Sequence, residues 1–155
     1  ITAYDIIIGK IISGLSQGVI KGAAVAAVIF CLTPFRFDLA NLLAYLFHIV
    51  LGSTIFSCLG SICGTTIDKP ENIGRVQAVV IVPLIFMSGI FFPLSSYPAP
   101  VLAAIRLLPT TALFEGARLA LLKGGIVPLY GLVLVATAVL VFVLAVRIFN
   151  RTIEA

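Results

Sequence analysis

Charge is scarce in this sequence. Of its 155 residues only 10% are Asp, Glu, Lys or Arg, whereas a soluble domain carries about a quarter. That leaves too little polar surface to cover a globule, so lipid must be part of the solvent. The formal net charge of +4 is scattered, and no basic cluster marks a nucleic-acid partner. In a membrane chain such charge mostly reports orientation. Trp is absent and His occurs once, as His48. Cys31, Cys58 and Cys63 are oddly spaced in or beside apolar runs, which makes a poor metal site or disulfide frame and reads as buried small residues. Catalytic signatures are missing as well. Without a Gly-x-x-x-x-Gly-Lys-Ser/Thr loop the chain does not hydrolyse ATP itself. There is no His-Glu-x-x-His, no pair of intramembrane aspartates and no Gly-x-Ser-x-Gly elbow, so an enzyme reading has no residues to rest on. The sequence starts at Ile1 with no signal-peptide pattern, which leads us to expect a fragment of a longer membrane protein.

What the sequence does have is apolar length: 61% hydrophobic residues and a mean hydropathy of +1.25. The runs are long and continuous, as in helical spans, and lack the short alternation of a membrane barrel. Four runs approach the roughly twenty residues a spanning helix needs, at about 6–32, 39–67, 76–92 and 126–146. The expected fold is therefore an all-α, polytopic membrane protein. The first two runs are separated by a short turn with Pro34, Arg36 and Asp38. The second and third are separated by the densest charge in the chain, Asp68, Lys69, Glu71 and Arg75. Pro83 predicts a kink in the third span, which Gly89 and Pro93 then end.

Between the third and last spans lies a half-apolar stretch, about 94–124, carrying Arg106, Glu115 and Arg118 and entered through Pro93. One piece runs from Val101 to a break at Pro109. A second runs from Thr110 to Lys123 and Gly124, with Thr110 or Thr111 as N-cap, Glu115 near the favourable end of the dipole and the glycine as stop. Each piece is too short to span, so two short helices folded back as a re-entrant hairpin are expected, with Glu115 and Arg118 as an i, i+3 pair. Four spans put both termini and the charged loop on one side with Lys10, Lys69, Arg75, Arg147 and Arg151. Arg36, Arg106, Arg118 and Lys123 fall on the other. The positive-inside rule then favours cytoplasmic ends.

Gly14, Gly18 and Gly22 recur every four residues on one helix face, a seam that lets another backbone approach closely. Lys10, Gln17 and Lys21 lie on an overlapping side. Lys21 either belongs to a polar wall along a substrate path or subunit contact, or snorkels to the nearer interface. Ser53, Ser57 and Ser61 form a second small-residue seam. His48 is open to a proton-relay role or to one as a hydrogen-bonded packing residue.

An apolar span ending "SGIFFPL", the turn "SSYPAP", a short helix closing in "LLP", then "EGARLALLKG" and one last span together resemble the C-terminal part of a type 2 ABC transporter permease. The entry "YDIIIGKIISGL" resembles the start of that family's third span, after its cytoplasmic coupling helix. The resemblance covers essentially the whole chain. It implies spans three to six of six, with the 94–124 hairpin facing outward. Ser88, Gly89, Pro93, Pro109, Glu115 and Arg118 match positions characteristic of the hairpin and its approach. It further implies a homodimer or heterodimer of permeases in a bacterial or archaeal plasma membrane, working with a separate or fused ATPase that carries the ATP-Mg. The loop with Asp68, Lys69, Glu71 and Arg75 would face that ATPase, and no cofactor would bind the chain itself. The family often places a Trp near the hairpin's first helix; here Tyr97 would take the interfacial role. Three functions are weighed: an exporter permease for drugs, lipids or polysaccharides, a membrane scaffold that transports nothing, and an ion-coupled carrier. The last would show carboxylates at midplane, whereas these lie at span ends or in the hairpin.

Overall fold

The computed structural model describes residues 3–32, 38–67 and 69–153. Pro34, Arg36 and Asp68 lie outside the described residues. Those described are helical, with no strand among them: α1 (Ala3–Leu32), α2 (Leu39–Thr66), α3 (Pro70–Met87), α4 (Ala99–Arg106), α5 (Pro109–Lys123) and α6 (Pro128–Ile153), with a single 3-10 turn at Leu94–Ser96. Three of the helices, α1, α2 and α6, are long and apolar enough to cross a membrane by length and composition.

The third expected span is different. α3 starts inside the charged stretch and is 18 residues long, about 27 Å at 1.5 Å per residue. It stops at Met87, not at residue 92. Ser88 turns its amide back to the Ile85 carbonyl (3.1 Å), and Gly89 takes φ +88°, a left-handed conformation that glycine adopts without steric cost. The apolar run of 76–92 is thus part helix and part turn.

α2 is the hub, with α1, α5 and α6 packed along it. Lipid tails are as apolar as leucine, so burial alone gives these helices little reason to associate; close packing and interhelical hydrogen bonds must do so. The α1–α2 contact shows how. A Cβ built on Gly14 would overlap Ser57, one on Gly18 would overlap Ser53, and one on Gly22 would press on Ile49 at 3.2 Å. Each step of four up α1 is a step of four down α2, so the helices are antiparallel and the two small-residue seams meet each other. Ser57 and Ser53 Cβ would lie 2.9 and 2.8 Å from the added carbons of Gly14 and Gly18. Those atoms are fixed by the α2 backbone, and no rotamer change relieves the overlap. The buried Tyr45 hydroxyl locks the same interface by donating to the Gly22 carbonyl oxygen (3.0 Å).

α5 also runs antiparallel to α2. Gly124 sits against Asn41, Gly116 against His48 and Leu113 against Gly52. From Asn41 to Gly52 is roughly 17 Å of helix, about half a hydrocarbon core of 30 Å. α6 follows α2 in the parallel sense: Phe47 lies beside Gly131, Ile55 clusters with Tyr130, Leu134 and Ala138, and Cys58 with Val141 and Ala145. At the far end, Lys10 on α1 stands over the Phe149 ring of α6 at 5.7 Å. The start of α1 and the end of α6 therefore share one end with the α2–α3 connection.

A leucine at position 18 would have to push α1 off α2, a strain of about 1–3 kcal/mol or more. At Gly131 an added Cβ meets chiefly the side chain of Ile126, at 3.0 Å, which can shift. Gly18→Leu is expected to lower the melting temperature of the purified protein well below that of Gly131→Leu. Equal melting of the two variants would mean that the seam does not hold α1 to α2.

Candidate functional site

α1, α2, α3 and α5 enclose a groove of about 850 Å3. Its floor is the glycine–serine seam. Gly14, Gln17, Gly18, Lys21 and Gly22, the residues singled out on the first helix, all line it. Opposite them stand Ser53, Ser57 and Phe56 of α2, Gln77 of α3 and Leu113, Phe114 and Ala117 of α5. The lining is apolar with a few spaced hydroxyl and amide groups and one formal charge, that of Lys21. A lysine near the bilayer centre costs about 2.5–3.5 kcal/mol on insertion scales. Lys21 stands exposed on the groove, and among the described residues it has no acidic partner.

The residues expected in the 94–124 stretch and its approach form a separate group. Pro109 opens α5 at its first position, with Leu108 as the N-cap residue. The expectation that Thr110 or Thr111 caps the helix is thereby corrected. Proline suits the first turn because its missing N–H would have no partner there and its φ is already helical. Both threonines are buried instead. Thr110 Oγ1 donates to the Leu84 carbonyl oxygen of α3 (3.3 Å), whose helical partner, the Ser88 amide, has turned to Ile85. Ser88 is fully buried and its hydroxyl also donates to the Ile85 carbonyl (2.5 Å). Pro93 leads into the 3-10 turn. Arg118 pairs with Glu115 at 2.9 Å, with the arginine side chain 58% exposed and the carboxylate 12%. A pair that open contributes at most about 1 kcal/mol. Lys123 and Gly124 end α5 as expected, Gly124 at φ +80°.

The charged loop forms a third group. Lys69 and Arg75 line a hollow of about 570 Å3 with Thr66 and Asn72. Glu71 is exposed in the first turn of α3 and is not part of that lining. The loop lies at the far end of α2 from the α5–α6 turn, so the structure does not bring these residues to the groove.

His48 is fully buried on α2. Its Nδ1–H donates to the Ala44 carbonyl oxygen (2.8 Å). The other edge of the ring abuts Gly116, where an added Cβ would lie 2.5 Å from Nε2. Sequence reasoning missed this contact, as it missed Gly52 under Leu113, Gln77 and the α5 side of the groove. The available signal was an isolated glycine inside an apolar helical run, which marks a close approach but does not name the partner.

Residues 1–122 match the family model described as ABC-2 type transporter, and the chain belongs to that family. It is an integral, multi-pass membrane protein. Similar curated proteins include the inner membrane transport permease YadH of Escherichia coli (strain K12), 26% identical over 129 residues, or 83% of this chain and 50% of that protein. YadH of Shigella flexneri matches with the same figures. The chain thus spans about half the length of the curated relatives it matches. No solved structure matches.

Gly116→Val is expected to drive α5 away from α2, because the new branches collide with a ring that packing holds in place. The expected loss is at least the roughly 1–3 kcal/mol of an overpacked core. Pairing it with His48→Ala, which removes the obstruction, should recover part of that loss. The check is a double-mutant cycle on thermal melting, and strictly additive effects would show that the two residues do not touch.

Proposed function

We propose that this chain is the C-terminal part of the permease of an ATP-driven exporter, with four membrane-spanning helices and a re-entrant hairpin before the last. In this reading α1, α2, α3 and α6 cross the bilayer, while α4 and α5 enter from the outer face and return to it. The observation that carries it is the depth of α5. From a proline-marked break at Leu107–Pro109, α5 is 15 residues, about 22 Å, and lies along α2 only between Ile55 and Asn41, short of the roughly 30 Å hydrocarbon thickness, whereas the 26-residue α6, about 39 Å, runs alongside α2 from Phe47 past Cys58.

The division of labour follows from chemistry. The sequence has no phosphate-binding loop, so ATP-Mg is held by an ATPase, separate or fused, at the end carrying Lys69, Glu71 and Arg75. Both ends of the segment face the cytoplasm of a bacterial cell, and a second permease completes the path. The groove beside the α1–α2 seam forms one wall of that path. Of the long helices α3 is the least packed, since its close packing is chiefly with α5 and Pro83 interrupts its hydrogen-bond ladder. Nucleotide-driven motion at the α2–α3 loop would swing α3 and alter access to the groove it borders through Gln77.

Two measurements test this. The full-length protein is expected to co-purify with an ATP-binding-cassette protein or to carry one in its own chain; finding neither would overturn the exporter reading in favour of a non-transporting membrane scaffold. In a background free of Cys31, Cys58 and Cys63, cysteines placed at Ala99 and Lys69 are expected to react with an impermeant thiol reagent from outside and inside respectively. Labelling from the same side would rule out four spans with a returning hairpin.

A further inference from the structure

Lys21 is the residue that the export reading leaves without a task. It lies eleven positions from Leu32 along α1, roughly 16 Å from that end of the helix, and the other end is farther. A 30-residue helix is about 45 Å long and the hydrocarbon core about 30 Å, so a centred α1 places the Lys21 backbone roughly 9 Å inside the core, on the groove. Among the described residues the groove it lines supplies no carboxylate: its remaining polar side chains are neutral, from Gln17, Gln77, Ser53, Ser57 and Tyr45. A cation in an apolar, lipid-depth environment is stable only when an anion and hydrogen-bond acceptors surround it. The volume of about 850 Å3 falls in the range of pockets that hold small ligands, about 300–1,000 Å3. Val25 and Phe114 at its edge are exposed, so the groove is open along an apolar margin.

We propose that this groove takes an anionic amphiphile from the bilayer, with its acidic head group on Lys21 and its hydrocarbon along Val25, Ile49 and Phe114. The proposal rests on the export reading and narrows it to a substrate class. Charge complementarity selects the occupant: one buried-depth cation, flanked by neutral amide donors, matches a single negative head group. Gln17 lies one helical turn from Lys21 on the same side and offers the head group a second donor.

The test uses the full-length protein in lipid nanodiscs and two probes, doxyl-stearic acid and its uncharged methyl ester, with the motionally restricted fraction read by electron paramagnetic resonance. The native protein is expected to restrict the acid in preference to the ester. Lys21→Gln should weaken acid binding about tenfold, as expected for loss of a charge-assisted contact, and Lys21→Arg should retain it. Gln17→Glu keeps the lysine but places a competing carboxylate one turn away, and should cause the same selective loss. Ester binding should not change in any variant, which doubles as the control for folding. Equal restriction of acid and ester by the native protein would overturn the proposal, as would acid binding untouched in both Lys21→Gln and Gln17→Glu. A Lys21→Cys variant that cross-links to another protein segment or a second copy would also overturn it, since the groove would then be filled by protein. Binding requires neither ATP nor an ATPase, so the two readings fail separately. Export without charge preference removes only this proposal, and charge-selective binding without an ATPase partner removes only the export reading.

Discussion

Everything in this structure depends on how closely α1 and α2 approach. In lipid, apolar side chains gain almost nothing by leaving one hydrocarbon environment for another, and helices associate through contact and hydrogen bonding. Three glycines on α1 receive two serines and an isoleucine on α2 in a strict antiparallel register, and Tyr45 ties the α1 backbone across the same contact. This brings the α1 backbone against the one helix that also carries α5 and α6. Spread that contact, and the groove loses its floor while Lys21 and Gln17 lose their relation to α5.

α2 has three packing faces because small or slim residues occur around its circumference. Ser53 and Ser57 admit α1, Gly52 admits Leu113 of α5, and Cys58 admits Val141 and Ala145 of α6. The reciprocal case is Gly116 of α5, which clears space for the His48 ring. A helix used on all sides cannot show one apolar stripe, and α2 is apolar all round for that reason.

The segment from α3 through α5 owes its shape to local chemistry at its ends and to packing in its middle. Proline begins α5, glycine in a left-handed conformation ends α3, and two successive glycines with positive φ turn α5 into α6. Between those points Thr110 fastens α5 to a carbonyl of α3 left free by the tightened end of that helix. The stop of one element and the start of another are thus joined by a single hydroxyl, which puts the start of α5 next to the end of α3.

Much of this was legible in the sequence. Long apolar runs set α1 and α2 to within three residues and the start of α6 to within two, because spanning length is dictated by hydrocarbon thickness, but α6 continues seven residues past the expected 146, through the polar end of the run. Pro109, Lys123 and Gly124 marked α5, because proline and glycine act on the backbone locally. The four-residue spacing of Gly14, Gly18 and Gly22 announced a seam, and Gln17 and Lys21 a polar side. Hydropathy alone misplaced α3: it counts Ser88 to Phe92 as span, although the chain turns there, and it omits the charged first turns that are helical. The threonines of α5 were misread as caps because cap preference is a local statistic, whereas their burial follows from what packs on them. Only the tertiary structure decided that the glycine seam meets the serine seam, that His48 meets Gly116, and that Lys21 shares a groove with Gln77. Those are contacts between segments far apart in sequence. A periodic pattern tells which face of a helix is smooth or polar, but the partner of that face is chosen by how all the helices fit together.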